Sequence, residues 1–230
     1  MRPGYARVVS DGEKRAAKLE SYRDPQVAAD YDLRWAGARG RRREARKARA
    51  LEQALKLLTQ TAGERPLVLL DTPCGTGRFS ALWPRLGYSA LGADLAPAML
   101  TQARAKHPDA CLLAADLAHL PLRDRAVDAA ICVRLLHLVR DPRERLAYLR
   151  ELRRVSRLGA VVDWRHGRTL RVWGQRLRWR LGLRERPPAN PSPATIRAEM
   201  AAAGFRVVAL LPVHRAPFLS DKVLAVAVLS

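Results

Sequence analysis

Val68-Leu69-Leu70-Asp71-Thr72-Pro73-Cys74-Gly75-Thr76-Gly77-Arg78-Phe79 decides how this chain folds. An apolar run too short for a helix ends on a carboxylate, and two glycines follow before helical periodicity resumes. Glycines there let the backbone turn sharply and approach a ligand closely, with unused N–H groups at the start of the next helix. Asp71, at the carboxyl end of the run, aims an acceptor into the crevice where open α/β sheets take their ligands.

Outward from that loop the same texture repeats. Short apolar runs near Leu67–Asp71, Ser89–Asp94, Cys111–Ala115, Val127–Val133 and Ala160–Trp164 read as strands buried on both faces. Amphipathic segments at Gly77–Arg85, Pro97–Lys106 and Pro142–Val155 separate them and are long enough to serve as crossover helices. The pattern predicts an α/β fold with a doubly wound, mostly parallel sheet. Phe205–Leu211 and Val223–Leu229 read as two further strands. The segment between them, PVHRAPFLSDK, has no helical pattern, so an antiparallel hairpin that reverses the last strand is expected.

The chain has 230 residues, enough for one such domain with a small addition. Residues 1–61 read as a charged N-terminal helical segment that covers the cofactor site, with Ala48, Leu51, Leu55 and Leu58 at helical spacing. Residues 62–230 form the sheet domain, interrupted at 165–193 by a segment with eight arginines, Trp173, Trp179 and a Pro-rich tract. We expect a basic helix and an extended linker there, folded as a cap over one end of the sheet.

The formal net charge is +20, and only six of the 42 basic residues are lysine. So strong a positive field attracts nucleic acid, anionic lipid or acidic substrates, although a biased composition produces the same arginine excess. Cys74, Cys111 and Cys132 show neither metal-ligand spacing nor an even count for disulfides, so no metal is expected and a reducing compartment suits them. The N-terminus lacks an apolar signal core, and no apolar run approaches the roughly 20 residues that span a bilayer. The sequence therefore reads as soluble and cytoplasmic, with attachment at a membrane periphery compatible with its arginines and tryptophans.

Three carboxylates carry the functional reading. Asp71 precedes the glycines, where an anion repels a pyrophosphate and attracts an ammonium group. The serine at the third glycine mark of Gly75-Thr-Gly77-Arg-Phe-Ser80 also departs from the nicotinamide-dinucleotide fingerprint. Asp94 ends the second strand and can accept both hydroxyls of a ribose, or else cap the helix that begins near Pro97. Asp116 follows the third strand and can accept from an adenine amino group, with Leu95 and Leu117 as apolar surface for the ring.

Residues from about Leu67 to Leu149, and AADLAHLPLRDRAVDAAICVRLLHLVRDP above all, resemble the core of class I, Rossmann-like S-adenosylmethionine-dependent methyltransferases, in particular the small-molecule and quinone-type subgroup. The resemblance implies a seven-stranded sheet with one reversed strand and S-adenosyl-L-methionine as cofactor. It places the methionine moiety at Asp71, Gly75 and Gly77, the ribose at Asp94 and the adenine at Asp116, with Pro73, Cys74, Leu95, Met99, Leu117 and Val133 around them. Pro73 and Cys74 depart from the commonest form of the loop, which leaves open whether Cys74 touches the cofactor.

The fourth strand ends at Val133, so Arg134 and His137 lie where an acceptor meets the methyl group. His137 is the leading candidate for a general base or an orienting group, although a helix-face histidine without a chemical part fits the same position. Arg134 binds an acidic substrate or pairs with a neighbouring carboxylate. Tyr22 and Tyr31 resemble cofactor-covering tyrosines of related enzymes, and Trp164 and Trp173 are candidate substrate or lid residues. The acceptor expected is a small molecule or lipid, with an anionic membrane surface as a partner. RNA is the rival, since arginines neutralise phosphates and tryptophans stack on bases. A non-catalytic cofactor-binding protein is the third reading, against which the intact carboxylate row counts.

Overall fold

Proline occupies the first position of four of the helices, three of them behind a capping Asp or Ser. The computed structural model describes residues 20–60, 67–184, 187, 190–214, 218 and 220–230. The first 19 residues of the N-terminal segment, its boundary at 61/62, and parts of the Pro-rich tract and of the last connection lie outside them. Asp24 accepts from the Gln26 N–H at 2.8 Å and opens α1 (Pro25–Asp30), which runs through a tight turn into α2 (Ala38–Thr59). Strand β1 (Leu67–Asp71) leads through the glycine loop to α3 (Leu82–Arg85), β2 (Tyr88–Asp94), α4 (Pro97–Lys106) and β3 (Cys111–Ala114). After β4 (Val127–Cys132), Asp141 accepts from the Arg143 N–H at 2.8 Å and opens α5 (Pro142–Val155), which passes directly into β5 (Ser156–Arg165). Then come α6 (Leu170–Arg180), α7 (Pro193–Ala202), β6 (Phe205–Pro212) and β7 (Lys222–Leu229).

The strands form one sheet of seven in the order β3-β2-β1-β4-β5-β7-β6. β7 lies antiparallel between β5 and β6, and the pairs among β1 to β5 are parallel. The doubly wound sheet with a reversed last strand is thus present as expected. One expected helix is shorter than the sequence suggested. Residues 77–81 are turns, and α3 begins only at Leu82, because Pro84 has no N–H to donate to Ser80 and so cannot extend helical bonding back into the turns.

Both faces of the sheet are covered. On one, Leu149 and Leu152 of α5 and Ile196 and Met200 of α7 pack against Val162, Trp164 and Ala225. On the other, Leu51, Leu55 and Leu58 of α2 join Trp83, Leu69, Val161 and Val226. Lys47 falls on the same buried stripe of α2, and its Nζ meets Asp163 of β5 at 2.7 Å with both residues buried. Burial lowers the Lys47 pKa, and the Asp163 carboxylate opposes that effect.

Removing one partner of a buried ion pair strands the other charge. Lys47→Met is therefore expected to lower the unfolding free energy by about 3–5 kcal/mol in urea titration, and adding Asp163→Leu should recover most of the loss. A Lys47→Met chain as stable as its parent would show that the pair does not hold α2 to the sheet.

Candidate active site

The carboxyl ends of β1 to β5, the amino end of β7 and the helices before β1 enclose a cavity of about 440 Å³. Its acidic half lies over β1, β2 and β3. Asp71 ends β1, is buried, and accepts from the Trp83 indole N–H at 3.1 Å. Burial raises its carboxyl to about 7, with the indole bond pulling downward and the Asp94 charge pushing further up. Asp94 ends β2 and accepts the Gly75 N–H at 2.8 Å on one oxygen and the Ala96 N–H at 2.9 Å on the other. Burial nevertheless keeps its pKa above the usual carboxylate range. Asp116, two residues past β3, accepts the Ala118 N–H at 2.9 Å beside Leu117.

The loop between Asp71 and Asp94 depends on its glycines. Gly75 and Gly77 have φ of +56° and +70°, a left-handed backbone that side chains disfavour. Gly75 lines the cavity, and a Cβ there would point into open space. Gly77 does not line it; a Cβ on Gly77 would lie 3.0 Å from His107 and 3.1 Å from Ala103, so this glycine lets α4 pack close. Cys74 is buried against the cavity wall, and burial pushes its thiol pKa far up, which leaves it an inert wall group.

The other half lies over β4, β5 and β7 and is cationic. Arg134 follows β4 with φ of +68°, Arg165 ends β5, and Lys222 opens β7 directly opposite Arg165 in the ladder. Lys47 reaches down from α2, and Arg43 stands at the rim. The carboxylate on this side is Asp163, already paired with Lys47; Arg165 is 3.6 Å from Asp221, which Arg171 shares at the same distance. His137 sits among these groups. Burial, then the Arg165, Arg134 and Lys47 charges, lower its pKa to about 4 against the opposing pull of Asp163. Its Nδ1 and the Arg134 Nη1 are buried without a hydrogen-bond partner among the described residues.

The segment before β1 forms the roof. The Arg134 guanidinium lies 4.8 Å from the Trp35 ring centroid and 5.5 Å from that of Tyr31, and Arg78 stacks on Trp35 at 3.8 Å. Tyr22 meets Tyr31 edge to face at 5.7 Å. Asp32 ties the roof to the glycine loop by accepting from the Thr76 hydroxyl at 2.8 Å, and it also pairs with Lys106.

The cavity therefore brings together Asp71, Pro73, Cys74, Gly75, Asp94 and Leu95, and with them Met99, Asp116, Leu117, Val133, Arg134, His137, Tyr22 and Tyr31. It leaves out Gly77, Trp164 and Trp173. Trp164 turns to the opposite face of the sheet, where it is 2% exposed, because it alternates with Asp163 along β5. Trp173 is 63% exposed on α6, and among the described residues none from 166–193 lines the cavity. Among the described residues, those over the cavity come from the N-terminal segment, and the basic insertion contributes Arg165 alone. No group of three or more His, Cys, Asp or Glu side chains suited to a metal occurs among the described residues.

A methyltransferase domain family matches residues 70–162. Curated relatives include malonyl-[acyl-carrier protein] O-methyltransferases of Hamiltonella defensa subsp. Acyrthosiphon pisum, 34% identical over 111 residues (48% of this chain and 42% of the relative), and of Yersinia pestis, 40% identical over 95 residues (41% and 34%). The match thus spans less than half the length of those relatives. Among solved structures, magnesium protoporphyrin IX methyltransferase from Synechocystis PCC 6803 with bound S-adenosylhomocysteine superimposes with a TM-score of 0.70 at 17% identity, covering 96% of this chain and 100% of that one. The Burkholderia thailandensis 1,6-didemethyltoxoflavin-N1-methyltransferase gives 0.60 at 19% identity, covering 99% and 94%. The chain has the class I, Rossmann-like methyltransferase fold.

The sequence does not single out Trp35, Trp83, Asp163 or Lys222, and it shows Arg43, Lys47 and Arg165 only as members of the basic tracts 39–49 and 165–186. Two of these carried a signal: Lys47 interrupts the apolar stripe of α2, and Asp163 interrupts the apolar run of β5. A charge at a buried position needs a partner, which links the two.

Asp71 provides a test of the acidic half. Its folded pKa of about 7 lies above the ordinary carboxylate value of 3.8, so the ligand-free fold holds this proton more tightly than the unfolded chain does. The stability associated with it is intact below about pH 4, falls as the pH rises to about 7 and is level above, a loss on the order of 4 kcal/mol at ~1.4 kcal/mol per pH unit. Asp71→Asn removes that slope. Urea titrations should find the variant more stable than the parent near pH 8, with the gap closing near pH 4; parallel curves would place Asp71 in a wetter setting.

Proposed function

We propose that this chain is an S-adenosyl-L-methionine-dependent methyltransferase whose acceptor is a small or lipid-like molecule. The observation that carries this reading is the row of Asp71, Asp94 and Asp116 at consecutive strand ends, lining one cavity. The donor set fits the cofactor. A buried carboxylate with one indole donor and a pKa near 7 gains from an ammonium beside it. Asp94 spends one lone pair of each oxygen on a backbone N–H, and each oxygen has another for a ribose hydroxyl. Asp116 and Leu117 offer an acceptor and a flat apolar wall for adenine. The relatives named for malonyl-[acyl-carrier protein] support an acceptor of small or lipid-like character.

When bound, the cofactor supplies a methyl group on a cationic sulfur, open to in-line displacement. The protein's part is to hold the acceptor in line and to exclude water. The aromatic roof of Tyr22, Tyr31 and Trp35 does the second. His137, with a conjugate acid near 4, is neutral at pH 7 and a weak base, so we assign it the orientation of the acceptor through its unpartnered Nδ1.

We further propose that α6 docks on an anionic membrane surface. Leu170, Trp173 and Leu177 form an outward apolar stripe, exposed by 60%, 63% and 42%, and Arg171, Arg176, Arg178 and Arg180 flank it. Apolar residues bordered by arginine suit a lipid headgroup boundary. No helix among the described residues is long and apolar enough to cross a membrane. In vesicle sedimentation the protein should pellet with phosphatidylserine-containing vesicles and far less with phosphatidylcholine alone, and Trp173→Ala with Leu177→Ala should release it. Indifference to phosphatidylserine, with salt-sensitive binding of single-stranded RNA in its place, would overturn the membrane partner in favour of RNA.

Calorimetry with S-adenosylhomocysteine tests the principal reading. The parent should bind, and Asp94→Ala should weaken binding by about tenfold or more, ~1.4 kcal/mol, through loss of the ribose hydrogen bonds. Asp94→Asn, which keeps an oxygen for the loop, should also bind more weakly than the parent. Undiminished affinity in both variants would overturn the ribose assignment, and a parent that does not bind would overturn the enzyme reading.

A further inference from the structure

Asp71 is held by a single side chain. Its Oδ2 accepts from the Trp83 indole N–H at 3.1 Å, and its Oδ1 has no hydrogen-bond partner among the described residues. Asp71 lines the cavity and Trp83 does not, so the indole grips the carboxyl from within the wall and leaves Oδ1 for a ligand. The donor is firmly placed: Trp83 is 1% exposed, shares a core with Leu51, Leu55 and Leu58 of α2, and meets Phe79 at 6.1 Å between ring centroids. Burial of an indole does not by itself demand such a bond, since the buried Trp164 N–H has no partner among the described residues. The bond also decides where an acid proton sits. An oxygen that accepts from an N–H is the carbonyl oxygen of a protonated carboxyl, which leaves the proton to Oδ1. Among the described residues no cation pairs with Asp71. Asp94 raises its pKa further, and burial drives the Cys74 and Cys132 thiols far up, so both are neutral. Lys47 of α2 is engaged by Asp163, Arg78 by Glu44 at 3.3 Å, and Arg134 lies under the Tyr31 and Trp35 rings.

Resting on the methyltransferase reading above, we propose that Trp83 is a positioning residue for the cofactor: its indole N–H fixes the Asp71 carboxyl so that Oδ1 takes the cofactor's ammonium, and Asp71 releases its proton to solvent on doing so. The Oδ1–H bond breaks, its electron pair stays on the oxygen, and that lone pair accepts an ammonium N–H in place of the proton. Uptake of the amino-acid end is then tied to pH. Burial raises the Asp71 pKa to about 7, and the indole bond opposes that rise. The ionised carboxyl is the form that attracts an ammonium, so the attraction is complete above about pH 7 and fades as the pH falls below it. Without the indole the Asp71 pKa is higher still, and the attraction is reached only at higher pH. Trp83 touches no ligand in this arrangement; it acts through Asp71.

Two ligands isolate the Asp71 end. S-adenosylhomocysteine carries the ammonium and 5′-methylthioadenosine lacks it, while adenine and ribose are common to both, so the preference for the first over the second reads the amino-acid contacts. In calorimetry at pH 7, Trp83→Phe, which keeps a ring to pack, should reduce that preference by about tenfold and leave 5′-methylthioadenosine affinity within about twofold. In an Asp71→Asn background the same substitution should change the preference by less than about twofold. Leu152→Ala, a loss of packing on the opposite face of the sheet, should lower stability and leave the preference unchanged. Between about pH 5.5 and pH 8 the preference of the parent should rise and level off, and that of Trp83→Phe should still be rising at the upper end. On the parent itself, near pH 6, titrations in buffers of different ionisation enthalpy should find about one proton more released by S-adenosylhomocysteine than by 5′-methylthioadenosine, a readout independent of how any variant folds. A Trp83→Phe preference equal to the parent's, an undiminished effect in the Asp71→Asn background, or equal proton release by the two ligands would each overturn the proposal. Binding of both ligands in those cases leaves the methyltransferase reading standing, whereas a parent that binds neither removes both.

Discussion

One buried contact, Lys47 to Asp163 at 2.7 Å, fixes the geometry on which the site depends. It ties the middle of α2 to the end of β5, at the place where the acidic and basic halves of the cavity adjoin. Without it, α2 would still have Leu51, Leu55 and Leu58 to bury, but its other polar ties, Glu44 to Arg78 at 3.3 Å and Thr59 to Tyr88 at 3.4 Å, are longer and less buried. Apolar burial gives most of the stability, and the ion pair supplies the position. The roof follows from that position, since Trp35 and Tyr31 are carried on the segment that leads into α2 and can cover Arg134 only if α2 stands where it does.

The same pair shapes the electrostatics. Lys47 engages Asp163, Arg165 turns to Asp221, and the Lys47 charge lowers the pKa of His137. On the far side, Asp71 and Asp94 are kept short of compensation by burial, with an indole and backbone N–H groups as their donors. Two ligands of opposite demand can then lie side by side, each drawn to its own half and repelled from the other. The parallel sheet makes this possible: every parallel strand ends at one edge, and the reversed β7 contributes its first residue there in place of its last.

The sheet and the acidic half of the cavity were legible in the sequence because they are local. A strand, a carboxylate at its tip and a glycine turn occupy adjacent positions, and each apolar run shows its period without help from the rest of the chain. The cationic half was not, because it is assembled from residues far apart: Arg43 and Lys47 on α2, Arg134 after β4, Arg165 on β5 and Lys222 on β7. Trp164 illustrates the limit. Its place at the end of an apolar run suggested a wall of the site, but the face a strand residue takes is set by alternation, and Asp163 holds the cavity face. The α3 boundary was misread for a different reason: apolar spacing continued through Pro84, whose missing N–H cannot extend helical bonding back into the turns.

The arginine excess resolves into uses that composition alone cannot separate. Arg154 bonds the Leu120 and Leu122 carbonyls together with Glu151 and Asp124, Arg145 grips Glu199 with two nitrogens while bonding the Val139 and Arg140 carbonyls, and Arg104 holds the carbonyls of Pro108 and Ala110. These are structural, because a planar guanidinium sets five donors in a fixed fork that bridges several acceptors at once. A second group enters the cavity, where the Arg134 Nη1 has no hydrogen-bond partner among the described residues, and a third lines the outer sides of α6 beside exposed leucine and tryptophan. The net charge of +20 is therefore a sum over unlike parts. Only the second group, enclosed and crowded, has the low-dielectric surroundings in which charge selects a ligand strongly; the first is spent on carbonyls, and the third is screened by solvent until a surface of opposite sign approaches it.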